Sequence, residues 1–157
     1  MMPLRTEFLF HYQCKLAPAI QSIGTPNGHR MVVIGTSGIL EGPRLKGRIL
    51  PHSGGDWALV RADGTGALDV RLSIETDDGA IILMTYQGRM VASEENFEYA
   101  LDFSKPDDPA GADRYYFRIL PLFETGDERY AWLNQIVTVG VGRTGDDSVI
   151  YDVYEVK

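Results

Sequence analysis

One cysteine, Cys14, is all the chain has, which excludes an intrachain disulfide. The three histidines, His11, His29 and His52, are scattered, so no Cys/His cluster has zinc spacing. Neither a metal nor another cofactor is therefore expected. No run approaches the ~18 apolar residues of a membrane-spanning helix, and "MMPLRTEFLF" lacks the long apolar core of a signal peptide. A reducing cytoplasm is the expected location. Lysine is sparse: of 15 basic residues four are Lys (15, 46, 105 and 157) and the rest Arg. The net charge is -7 with no basic stretch to offset it, so neither nucleic acid nor an anionic membrane surface is an expected partner.

What is present is the composition of a globular protein, 44% hydrophobic and 24% charged. A chain of 157 residues is close to one ordinary domain, and no linker or shift in composition divides it, so residues 1–157 read as one domain. Such a chain buries about 68–70% of its unfolded surface, enough for one core.

Period-two alternation dominates. "LRTEFLFHYQCKLA" is a strand with Phe8, Phe10, Tyr12 and Cys14 on one side. "RMVVIG" is a short strand, and "GILEGPRLKGRIL" a kinked extended segment in which Pro43 marks an edge or bulge. Asp63-Gly64 and Asp78-Gly79 separate alternating runs, a hairpin signal because glycine accepts positive φ. "VTVGVGRTGDDSVIYDVYEV" is a third hairpin, and "YYFRILPLFETG" with "RYAWLNQIVTVG" reads as another strand pair. One helix is expected near residues 94–101, where Phe97, Ala100 and Leu101 fall at i, i+3 and i+4. The polar "SKPDDPAGADR" after it is the segment expected to be disordered. Nine or ten closely spaced strands and one short helix give an all-β fold class, a single antiparallel β-barrel able to enclose a small ligand.

Several motifs dissolve on inspection. "GVGRTG", residues 140–145, has the lettering of a dinucleotide loop, but a strand follows where that loop needs a helix. His52-Ser53 has no nucleophile elbow around it. Asp77-Asp78 and Asp146-Asp147 are turn acids without the alternating oxygen ligands of a calcium loop.

Strand faces are more informative. In "ALDVRLSIE", Asp69 and Arg71 share the polar face, about 7 Å apart along the strand. Tyr130, Trp132 and Asn134 share a face if "RYAWLNQ" is a strand, and Trp57 and Arg61 share another. Amphipathic aromatics among hydrogen-bonding groups are what line ligand pockets. The Gly54-Gly55 kink before Asp56-Trp57 is expected to present acid and indole at a barrel mouth. The competing reading is a surface Asp69–Arg71 ion pair and tryptophans held in the core.

The segments "GILEGPRLKGRILPHSGGDW", "VRADGTGALDVRLSIETDDGAII" and "YFRILPLFETGDERYAWLNQIVTVGVG" resemble the bacterial domain of unknown function 3237, also called uncharacterised protein family 0311. The resemblance runs through nearly the whole chain. It places family motif positions at Gly28-His29-Arg30, at Gly42, Pro43, Leu45 and Gly47, and at Asp56-Trp57. Further positions fall at Leu68, Asp69 and Arg71, at Phe123–Gly126, and at Tyr130, Trp132, Leu133 and Asn134. It implies a compact β-barrel that assembles into oligomers, a dimer or higher, and no general activity. His52-Ser53 interrupts the small glycines usual before Asp-Trp.

Two classes of function follow. One is a cofactor-independent isomerase, cyclase, lyase or hydratase acting on a small metabolite. In it Asp69, Asp56 or Glu124 moves a proton and Arg71 or Arg30 steadies an oxyanion. Trp57, Tyr130, Trp132 and Asn134 complete the expected ligand contacts. The other class uses the same pocket for binding alone, or the barrel as an oligomeric interaction module.

Overall fold

The structure is a computed structural model that describes residues 1–157. Ten strands form one antiparallel sheet: β1 (Thr6–Leu16), β2 (Gln21–Thr25), β3 (Gly28–Glu41), β4 (Lys46–Ile49), β5 (Gly55–Val60), β6 (Gly66–Thr76), β7 (Ile81–Ala92), β8 (Tyr115–Glu124), β9 (Thr138–Gly145) and β10 (Ser148–Val156). The order β1-β10-β9-β8-β7-β6-β4-β3 closes through a β1–β3 pairing, while β5 pairs with β3 and β6 in line with β4. β4 and β5 thus share one of eight places around a closed barrel, and β2 extends β3 beyond it. Closure removes the free edges that a ten-stranded open sheet would expose.

Alternation does most of the sorting. Along β6, Leu68, Val70, Leu72 and Ile74 are buried, and along β7, Ile82, Met84 and Tyr86. β1 departs from strict alternation. A register shift between Phe8 and Phe10 turns Phe8 outward, 41% exposed, and puts Leu9 into the core beside Phe10. The bulged residue reverses the facing of everything before it.

Both Asp-Gly turns and the C-terminal hairpin form as the sequence predicts. The last turn has positive φ at both Asp146 and Asp147, the geometry that suits a two-residue hairpin. Their amides donate to the carbonyls of Lys105 and Phe103 at 2.7 Å each, which holds this uncommon conformation.

The helical segment forms as a 3-10 turn, Glu94–Asn96, running into α1 (Phe97–Leu101). The following polar segment, expected to be disordered, is ordered. Residues Pro109–Arg114 make a 3-10 helix, and Asp107 is gripped by both nitrogens of the Arg143 guanidinium fork at 2.6 and 2.9 Å. Thr144 extends the docking, since its Oγ donates to the Ala100 carbonyl and accepts from Lys105 Nζ. α1 is thereby tied across one end of the barrel.

A second departure concerns "RYAWLNQ". It is a 3-10 helix, Glu128–Gln135, and only Thr138–Gly145 joins the sheet. Asp127 caps it by accepting from the Arg129 amide. Tyr130, Trp132 and Asn134 therefore do not share a strand face.

Candidate functional site

Side chains from both halves of the barrel wall leave a cavity inside it. About 70 Å³ is open to the centre of a water-sized sphere, several times the roughly 10–15 Å³ that one water needs. Seventeen of the 21 lining residues are hydrophobic, and no lysine, arginine or histidine is among them. Leu101 and Phe103, from α1 and the segment after it, close one side. Few of the lining residues carry a polar side-chain group: Asp56, Tyr12, Tyr86, Tyr151 and Cys14.

Asp56 reaches the inside because of the kink before it. Gly54 has φ 155°, and a Cβ there would fall on the Arg71 carbonyl oxygen. The chain therefore presses flat against β6 before β5 begins. From Gly55 onward alternation sends Asp56, Ala58 and Val60 inward and Trp57 outward. Asp56 pairs with Val70, which pairs with Tyr86, so carboxyl and phenol sit at one level on β5 and β7. The β5–β6 pairing lapses between Asp56↔Val70 and Leu59↔Ala67. Inside that gap the Asp69 amide donates to Asp56 Oδ1 at 2.9 Å.

Burial raises the Asp56 carboxyl to about 6. The Asp69 amide counters this, the Asp69 charge adds to it, and the Arg30 charge opposes it. Burial also drives the three tyrosine hydroxyls far above their ordinary range and the Cys14 thiol up to about 11. Near neutral pH the cavity thus offers one carboxyl in proton exchange and several neutral hydroxyls.

Opposite Asp56 the wall is aromatic. Tyr12 and Tyr151 pair across β1 and β10 and stack with ring centres 5.4 Å apart. Tyr86 and Phe117 meet Tyr151 edge-on at 5.8 and 5.1 Å. Gly142, beside Tyr151 on β9, leaves room for this cluster: a Cβ there would come within 2.5 Å of the Tyr151 ring and 2.8 Å of Phe117.

Of the residues expected at the site, only Asp56 lines this cavity. Asp69 and Arg71 project from the outer face of β6 with side chains 49% and 61% exposed, 3.4 Å apart as a surface ion pair. Trp57 is 39% exposed on the outside of β5, and Arg30 donates to its carbonyl at 2.7 Å. The remaining four lie toward the other end of the barrel. Trp132 packs on the core under the Arg44 guanidinium, 3.6 Å from its ring centre. The Tyr130 hydroxyl donates to Asp78 Oδ1 at 2.9 Å. Asn134 bridges the amide and carbonyl of Thr125, and Glu124 borders the same shallow depression. The arginines and tryptophans thus do not converge on Asp56. Ser53 is committed to structure: its Oγ donates to the Leu50 carbonyl and accepts from the Ser73 amide.

Tyr86, Tyr151 and Cys14 were not among the expected site residues. The available signal was a tyrosine at an inward position of an otherwise aliphatic strand face, as in "IILMTYQG" and "SVIYDVYEV". No three His, Cys, Asp or Glu side chains converge as metal ligands would, and no helix is long and apolar enough to cross a membrane.

Among known proteins, a UPF0311 protein of Rhodopseudomonas palustris is 29% identical over 153 residues, 98% of this chain and 97% of its own length. The hydroalkoxylation enzyme phnH of Penicillium herquei is 29% identical over 139 residues, 88% of this chain and 74% of its own length. Among solved structures, a conserved protein of unknown function from R. palustris superposes with a TM-score of 0.89 at 28% identity, covering both chains fully. A beta-barrel like protein from Acinetobacter baumannii superposes with a TM-score of 0.83 at 37% identity, over 100% of this chain and 98% of that one. The family model described as protein of unknown function (DUF3237) matches residues 4–156, and the chain belongs to that family.

Proposed function

We propose that this protein is a cofactor-independent enzyme that moves a proton on a small, uncharged, oxygen-bearing molecule held inside the barrel, with Asp56 as the acid–base group. The observation that carries the reading is one carboxyl, raised to about 6, on the wall of an apolar cavity. A group with a pKa near working pH can both take and return a proton. The similarity to the Penicillium hydroalkoxylation enzyme supports addition of O–H across a carbon–carbon double bond.

For an enone bearing a phenol the step is balanced without oxidant or reductant. The Asp56 carboxylate takes the phenolic proton as the oxygen bonds to the β-carbon. The π pair moves toward the carbonyl as an enolate, and the Asp56 carboxylic acid returns the proton to the α-carbon. The oxyanion donor cannot be Arg71 or Arg30, which lie on the outer face; buried tyrosine hydroxyls meet the need.

The test is cyclisation of 1-(2-hydroxyphenyl)but-2-en-1-one to 2-methylchroman-4-one. The expected result is a rate above background, an excess of one enantiomer, one deuterium at the α-carbon in D₂O, and a rate that rises with pH through about 6. Racemic product at the background rate, from protein that demonstrably binds the enone, would reduce the barrel to a binding module.

A further inference from the structure

We infer that the Tyr151 hydroxyl is the donor that receives a ligand's uncharged carbonyl oxygen, and that the cavity refuses carboxylates. The assignment rests on the reading that the barrel interior is the ligand site.

Tyr151 is wholly buried, and its hydroxyl is the one buried side-chain nitrogen or oxygen with no hydrogen-bond partner. Its ring cannot swing away to find one, being stacked on Tyr12 and met edge-on by Tyr86 and Phe117. The neighbouring hydroxyls of Tyr12 and Tyr86 face each other at 3.5 Å. A phenylalanine would make the same ring contacts without stranding a polar group, so packing does not account for the hydroxyl. A bound acceptor would.

The rest of the lining fixes the acceptor's chemistry. Burial keeps Tyr151 protonated, so it donates. No cationic side chain lines the cavity, and Asp56 already supplies one ionisable acid there. A second carboxylate would enter without a counter-charge and lose its water. The apolar remainder suits a hydrocarbon or aromatic body. Asp56 and Tyr86 occupy one level of the wall, and Tyr86 touches Tyr151. Tyr151 thus faces the proton carrier across the cavity, and a carbonyl bonded to it is held between the two walls.

Three probes of nearly one shape separate these features: acetophenone, α-methylstyrene and benzoate. Binding is read from the methionine methyl NMR signals of Met31 and Met90, which line the cavity. In the wild type acetophenone should bind roughly 3- to 10-fold tighter than α-methylstyrene, the worth of one buried hydrogen bond, and benzoate should leave the signals unmoved. Tyr151→Phe should bring the ratio to about one without lowering the melting temperature, whereas Tyr12→Phe should keep it. An unchanged ratio in Tyr151→Phe, a lowered melting temperature, or benzoate binding as well as acetophenone would overturn the assignment alone. If neither neutral probe moves the Met31 and Met90 signals, the interior is not the ligand site and the assignment falls with it.

Discussion

Replacing Asp56 with asparagine should make the protein more stable at pH 7.5 while costing it about 10²- to 10⁴-fold in turnover, the usual contribution of a positioned acid–base group. The stability half follows from linkage. Asp56 has a folded pKa of about 6 against the ordinary aspartate value of 3.8, so between these values the folded state binds more protons than the unfolded one. The sign is that of a raised pKa: stability is fully present below about pH 4 and is lost as pH rises through about 6. Two units correspond to about 3 kcal/mol. Asparagine cannot ionise, and its amide oxygen can still accept from the Asp69 amide. The variant should therefore melt within about 2 °C of wild type at pH 4 and roughly 6–12 °C higher at pH 7.5. A variant that is less stable at pH 7.5, or whose advantage is the same at both pH values, would show that Asp56 is not a carboxyl held against its own ionisation.

Gly54→Ala should destabilise the fold by about 3 kcal/mol, with a melting temperature roughly 6–12 °C lower. A new Cβ at Gly54 meets the Arg71 carbonyl oxygen, a backbone atom of a central strand, with the Arg71 carbonyl carbon at 3.0 Å behind it. A flexible side chain could turn aside, but a paired strand cannot. Relief requires β5 to lift from β6, which moves Asp56 out of register with Val70. The variant should therefore also lose the raised pKa of Asp56. Wild-type melting for Gly54→Ala would mean that the kink is not locked by this approach.

The barrel was legible because its strands obey a period of two and its turns carry Asp-Gly. The same rule misled where a segment merely imitated the period. In "RYAWLNQ" alternate residues are amphipathic, yet Asp127 caps a 3-10 helix there and Trp132 packs beneath Arg44. At Asp56-Trp57 the sequence marked the kink but not which of the pair faces in. That depends on where pairing with β3 and β6 begins, a non-local fact. Asp69 and Arg71 looked like a site because polar residues alternated with core residues, which is equally the pattern of a barrel's outer surface. The tyrosines give no such signal, because an inward tyrosine in an aliphatic strand reads as core. What distinguishes Tyr151 is a missing partner, visible only once the barrel closes around it.

The bond from the Asp69 amide to the Asp56 carboxyl carries a consequence for how the interior communicates. It replaces a rung of the β5–β6 ladder with a side-chain acceptor whose strength depends on charge, since a carboxylate accepts more strongly than a carboxylic acid. Each proton taken up inside the barrel therefore slackens one link in its wall, and each proton released tightens it. The outer surface at Asp69 is in this sense an indicator dye for the interior, built from a single amide, and reads the protonation state of a half-buried group on the inner wall.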